Sequence, residues 1–357
     1  MRTSIIFLLL AIITIPLSRE ALAQGPCTGP YRDFDFWIGE WDVLNRNRPD
    51  GESRWYDTGM ATDRVYPIAA GCGIVEHWRG SAFGEDMEGF SVRAFNPNTG
   101  QWELVLLWPT DGLPRFGVLR GGFRHNRGEF FSRNVSTEGD TTYTRFTFSD
   151  ITPETVRWQD GTSSDDGRTW SSSWIMEFTR RELLYQGPLL NGPSVTTLRC
   201  PARDHRAMDF LIGEWRGRSP ETASEEDAEL VKADIHPVLE GCGIMERVQA
   251  MGQNSAWEVF RIRTYEPERE KWVEYRLDTR VPWLQRLEAD PPEAGQPWVF
   301  MSPGTERADQ DLRVTLTRDS DGPIRWSEER WNAEAGQWQL RPGLVYEMRV
   351  GASSPGS

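Results

Sequence analysis

The chain has 357 residues, with 40 basic and 54 acidic side chains and a net charge of −14. That balance repels nucleic acid and anionic lipid surfaces, and no Lys/Arg cluster interleaved with aromatics offsets it, which argues against nucleic acid as a partner. Seventeen tryptophans and 33 glycines, spread through short β-friendly runs, suit a sheet protein with tight turns.

The N-terminus predicts export. Arg2 precedes a 13-residue apolar run, IIFLLLAIITIPL (5–17), and Ala21-Leu22-Ala23 forms an A-x-A cleavage site. The run is short for a bilayer span and no stop-transfer pattern follows, so no stable membrane anchor is expected. Residues 1–23 therefore read as a signal peptide cleaved after Ala23, and the mature chain as periplasmic or secreted. Losing Arg2, Arg19 and Glu20 with the signal takes the net charge to −15.

The remaining chain repeats itself. FDFWIGEW (34–41) returns as MDFLIGEW (208–215), GCGIVE (71–76) as GCGIME (241–246), and VRAFNP (92–97) as IRTYEP (262–267). Pro67 and Pro237, and Trp102 and Trp272, share the 170-residue offset of the last two islands. Later, VRW (156–158) answers IRW (324–326), Trp170 answers Trp338 and Glu177 answers Glu347. Two units of common ancestry are predicted, 24–186 and 200–350. The Gly/Pro-containing segment 187–199 links them, and 351–357 forms a disordered tail.

Within each unit the hydrophobic period is two. Phe146–Phe148, Trp174–Phe178, Leu312–Leu316 and Leu344–Met348 read as strands, and Asn96–Gly100, Gly121-Gly122, Glu138–Asp140 and Asp321–Pro323 as turns. The fold class is all-β, two antiparallel barrels or sandwiches in tandem. The one weak helical stretch, Ala223–Lys232, reads equally as a charged edge.

Cysteines obey the repeat. Cys27 and Cys200 precede each IGEW element, while Cys72 and Cys242 sit in each GCG. In an exported chain this favours the pairs Cys27–Cys72 and Cys200–Cys242, each worth about 3–4 kcal/mol on the chain-entropy model. Metal binding is the competing reading, disfavoured because no histidine lies at ligand spacing. No metal and no cofactor are expected.

FDFWIGEW, GCGIVE and SSDDGRTW (163–170), in that order, resemble a bacterial family of unknown function, the DUF1579-type lipocalin-like proteins. The resemblance covers nearly all of residues 31–181 and weakens in residues 206–349. Phe36, Trp37, Gly39, Trp41, Gly71, Cys72 and Glu76 are the matching positions. It implies a calycin-like barrel and no particular activity. It also implies structural roles for Gly39 and Trp41, and for Gly213 and Trp215. Each tryptophan would plug a barrel's closed end beneath an arginine, Arg180 or Arg181 in the first unit and Arg349 in the second.

Glu76 and Glu246 are the most pointed charges. Alternation puts Glu76 on the face of Ile74 and Trp78, and Glu246 on the face of Ile244 and Val248. A carboxylate on an apolar face needs a partner in the wall or serves as a polar tip in a lumen. Arg93 and Arg263 are also matched. Arg93 alternates against Phe90, Val92 and Ala94; the surface is the favoured side for it, and a lumenal Arg93 would meet Glu76.

SSDDGRTW has the Asp-box pattern, a turn in which Asp165 bonds backbone, and no glycosidase follows from it. His77, beside Glu76 on the opposite face, reads as a surface residue. None of the common catalytic or haem-attachment motifs occurs. The reading that results is a carrier of a small apolar or amphipathic molecule, with Glu76, Trp78, Arg93, Glu246 and Arg263 as candidate ligand contacts. Catalysis is disfavoured. The alternatives are an isomerase, hydratase or hydrolase working through Glu76, and an envelope interaction module with filled barrels. The sequence sets no oligomeric state.

Overall fold

The computed structural model describes residues 27–83, 85–136, 138–181, 200, 202–219, 229–250, 257–304, 311–318 and 323–350. The expected signal peptide, linker and tail lie outside them, as does most of the Ala223–Lys232 stretch, whose last residues belong to a strand, Glu229–Val238.

Among the described residues the chain forms two closed antiparallel barrels of ten strands each. The first runs as a meander from β1 (Gly39–Asn47) to β10 (Trp174–Arg180), which close by pairing Val43 with Phe178. The second runs from β11 (Gly213–Ser219) to β20 (Gln337–Val350) and closes by pairing Gly217 with Tyr346. Closure removes both sheet edges. Ten strands also make a wider interior than the eight that side chains alone can fill. The all-β tandem-barrel expectation holds.

The disulfides are Cys27–Cys72 and Cys200–Cys242, and no described cysteine is free. Each ties the entry segment to a turn, Ala69–Gly71 or Leu239–Gly241. In both turns two consecutive non-glycine residues have positive φ, 49° and 51° in one and 51° and 54° in the other. Backbone of that kind persists where surroundings over-determine it; the disulfide and the neighbouring barrel supply that here.

Each barrel has a lumenal core. The first collects Trp37, Trp41, Trp78, Trp102, Leu104, Phe148 and Phe178, among others. A further cluster lies outside both lumens, between the barrels. In the first barrel β3 (Gly73–Ala82), β4 (Glu85–Asn96) and β5 (Gln101–Thr110) send Val75, Phe90, Val92, Val105 and Leu107 into it. In the second, β13 (Gly243–Ala250), β14 (Glu258–Glu266) and β15 (Lys271–Asp278) send Met245, Phe260, Ile262, Tyr275 and Leu277. These are the same positions, 170 residues apart. The contact is reciprocal: a Cβ on Gly73 would lie 2.5 Å from Leu277, and one on Gly243 3.5 Å from Leu107. Polar contacts edge it. The Ala69 N–H donates to Glu258 at 2.8 Å, and Arg115 forms a two-pronged ion pair with Glu268.

This interface corrects one expectation. Arg93 is not on the surface; it is 3% exposed. The apolar set Phe90, Val92 and Ala94 faces the other barrel, so the polar set faces the lumen. A second correction concerns register. Phe178 and Tyr346 are counterparts, so Glu177 answers Val345 and not Glu347; an irregularity between Arg216 and Gly217 shifts the chain beyond it and sets Arg349 opposite Trp215.

Candidate functional site

The closed end of the first barrel is aromatic. Gly39, at φ +137°, lets the chain pass beneath Arg180, whose Nη1 lies 2.4 Å from where a Cβ would be. Arg180 sits 4.1 Å over the Trp41 ring and donates to the Ile38 carbonyl at 2.6 Å. The Trp41 indole donates to the Trp37 carbonyl at 2.8 Å. In the second barrel Trp215 donates likewise to Leu211 at 2.7 Å.

Above that plug lies the Arg93 guanidinium, 5.0–5.3 Å from the rings of Phe34, Trp37 and Phe148. Arg93 donates to Glu76, and so does Ser91. Glu76 is 7% exposed. Asp63, fully buried on β2 (Tyr56–Ile68), pairs in register with Trp41 on one side and Trp78 on the other. Burial, and after it the Glu76 carboxylate, hold the Asp63 carboxyl well above the usual carboxylate range.

The Glu76–Arg93 pair forms part of the wall of a cavity of about 700 Å3 inside the first barrel. Its remaining wall joins the aromatic rings of Trp78, Trp108, Trp158, Trp174 and Phe146 to polar side chains that include Asn134, Thr144 and Asp160. The four indoles contact one another, with Trp78–Trp108 at 5.3 Å and Trp158–Trp174 at 5.3 Å between centroids. Trp174 is fixed by its donation to Asn45 at 3.0 Å, and Asp160 by accepting from Ser172, Ser173 and Trp174 at 2.8–2.9 Å. Phe83 packs edge-on against Trp174 at 5.2 Å. Large apolar volume with a few convergent polar groups is the common form of a small-molecule site.

The second barrel uses the same positions differently. Glu246 accepts from Arg261 at 2.6 Å, Arg263 at 2.5 Å and the Tyr346 hydroxyl at 2.5 Å. Arg263 also pairs with Glu274 at 2.9 Å, and Arg276 with Glu328 at 2.8 Å and Asp278 at 3.0 Å. Arg261, Arg263, Glu274 and Arg276 have no exposed surface. Burial alone would push Glu246 up, yet Arg261 and then Arg263 bring it below its ordinary value. Asp278, buried but bonded by Arg280, falls to about 2. Charged side chains thus occupy this interior.

Of the residues singled out in the sequence, Glu76, Trp78 and Arg93 come together at one cavity, while Glu246 and Arg263 meet inside an ion network. Sequence reasoning missed Asp63, although Ala61, Asp63 and Val65 alternate on one buried face of β2. It also missed Glu274 and Arg276, which alternate with the lumenal Trp272 and were legible by the same period. The Asp-box segment is a turn. Asp165 accepts from the N–H groups of Arg168 and Thr169, and Trp170 donates to the Gly167 carbonyl.

No family model matches the chain, and no curated protein matches it. Among solved structures, one similar chain is a protein of unknown function of the DUF3598 family from Nostoc punctiforme. It is 13% identical, covered over its whole length by 91% of this chain, with a TM-score of 0.28. Another is an S-type phycobiliprotein lyase from Guillardia theta, 12% identical over 42% of this chain and 92% of its own, with a TM-score of 0.30. At such TM-scores neither likeness bears on function.

Proposed function

We propose that this is an exported carrier whose first barrel holds one small, partly apolar molecule, its polar end at Glu76 and Arg93. Its body would lie among Trp78, Trp108, Trp158 and Trp174. The observation that carries this reading is the cavity of about 700 Å3 that joins those groups. In this reading 1–23 is a cleaved signal peptide, 24–186 and 200–350 are the two units with 187–199 between them, and 351–357 is the tail. Two disulfides support an oxidising destination, and the DUF1579-like motifs support the family assignment. The filled-barrel alternative draws on the charged side chains buried in the second interior.

The test is native mass spectrometry of the periplasmically expressed chain, followed by identification of what unfolding releases. One small molecule per chain is expected, lost in a Trp108→Ala, Trp158→Ala double variant. A bare mass, with no compound of a lipid and metabolite panel raising the melting temperature, overturns the proposal.

A second reading, turnover at Glu76, draws on the Asp63 carboxyl beside it, which burial and the Glu76 charge hold well above the usual carboxylate range. An acid and a carboxylate side by side can give and take one proton. It requires Glu76→Gln to abolish conversion of the released molecule while leaving it bound; unchanged conversion ends it.

A further inference from the structure

The two lumens are related by the internal repeat, so the ion network buried in the second shows what the first lacks at the same positions. In the second barrel the Arg261 guanidinium meets four groups. It donates to Glu246 at 2.6 Å, lies 4.8 Å over the Trp326 ring, and stands 3.7 Å from Glu274 and 3.9 Å from Glu328. The first-barrel counterparts follow from the repeat and from strand register: Glu76 for Glu246, Leu104 for Glu274, Trp158 for Trp326 and Asp160 for Glu328, the last two on Thr155–Ser163 and Ile324–Asn332. Glu76, Trp158 and Asp160 line the cavity. The counterpart of Arg261 itself is Ser91, whose hydroxyl donates to Glu76 and accepts from the Arg93 Nε–H at 3.1 Å. The counterpart of Arg276 is Leu106, also in the cavity wall.

Two of the four carboxylates are therefore kept, as Glu76 and Asp160, where the Arg261 guanidinium is not; Leu104 and Trp108 stand at the positions of Glu274 and Asp278. In the second barrel Glu246, Glu274, Glu328 and Asp278 face Arg261, Arg263 and Arg276, with Arg280 at Asp278 completing the balance. In the first, Glu76 pairs with Arg93, Asp160 lines the same cavity while accepting from Ser172, Ser173 and Trp174, and the other arginine of the cavity wall, Arg115, is engaged by Glu268. Four indoles line the cavity, and indole is the best of the aromatic platforms for a cation.

Resting on the carrier reading above, we propose that the first barrel's ligand is an organic cation. Its ammonium or guanidinium group takes the place between Glu76, Trp158 and Asp160 that Arg261 fills in the second barrel, and its apolar body lies against Trp78, Trp108 and Trp174.

The experiment is calorimetric titration of the full mature chain with three compounds sharing one body: 1-naphthylmethylamine, 1-naphthalenemethanol and 1-naphthoate. The amine is expected to bind at least tenfold more tightly than either of the others. Glu76→Gln should erase that preference, and Ser91→Arg, which installs the second barrel's own cation, should abolish amine binding. Because Ser91→Arg risks misfolding, the wild-type comparison of the three head groups decides by itself. If the alcohol or the acid binds as well as the amine, the cation inference fails and lumenal binding survives. If none of the three binds the wild-type chain, the carrier reading falls, and the inference with it.

Discussion

At the scale of single residues the two lumens titrate in opposite senses. Asp63 binds its proton more tightly when folded, held there by burial and by Glu76. Its contribution to stability is present below the ordinary aspartate pKa of about 3.9 and is lost as pH rises through the raised folded value. Asp63→Asn stays neutral throughout, so its stability relative to the wild type should climb as pH rises above the ordinary aspartate value of about 3.9. Urea unfolding of both chains across that range measures this, and parallel curves would refute it. Glu246 runs the other way. Its lowered folded value adds stability above about pH 4.3 that disappears as pH falls through it. Breaking the first pair from the cationic side should be costly: Arg93→Met leaves Glu76 buried beside Asp63, and a loss of about 3–5 kcal/mol is expected in urea melts. The face of Glu76 was legible because Ile74, Glu76 and Trp78 alternate against Val75 and His77. Its partner was not, since nothing local to Arg93 says which side of its strand is inside.

At the scale of elements, the reason is that β4 and β14 are apolar on one face and charged on the other, with the charged face inward. Alternation identifies two faces but does not label them. The usual rule, apolar toward the lumen, fails where a second barrel covers the outer wall, as it does over Phe90, Val92 and Ala94. Repeats, cysteine pairs and turn chemistry are local signals and read out directly; the side on which a neighbouring unit docks is not a local property. Gly89 on β4 is another element-scale device. A Cβ there would stand 1.9 Å from the Trp108 ring, so the glycine gives that indole its seat against Trp78. Gly89→Ala should displace Trp108, cost about 1–3 kcal/mol by overpacking and weaken whatever the cavity binds. Tryptophan fluorescence and the titration above report both effects, and an unchanged emission spectrum would show that Trp108 needs no such seat.

At the scale of the whole molecule, the barrels are predicted to unfold as one unit. Leu107 and Leu277 each meet a glycine of the opposite barrel, in an apolar cluster built from both halves. Leu277→Asp places an unpaired charge in that cluster, where burial is costly. Scanning calorimetry should then resolve two transitions where the wild type gives one; a single, merely lowered transition would mean that the barrels are coupled elsewhere.

The reciprocity of those contacts has an evolutionary reading. A patch that meets its own equivalent is the signature of a two-fold homodimer, and in a homodimer every substitution occurs twice. A Ser→Arg change in the lumen would fill both barrels at once and leave nowhere to bind. Joining the two copies in one chain lifts that constraint: one half is free to close its interior around three arginines, while the other keeps its space open. The asymmetry between Ser91 and Arg261 is a division of labour that two separate, identical subunits could never have reached.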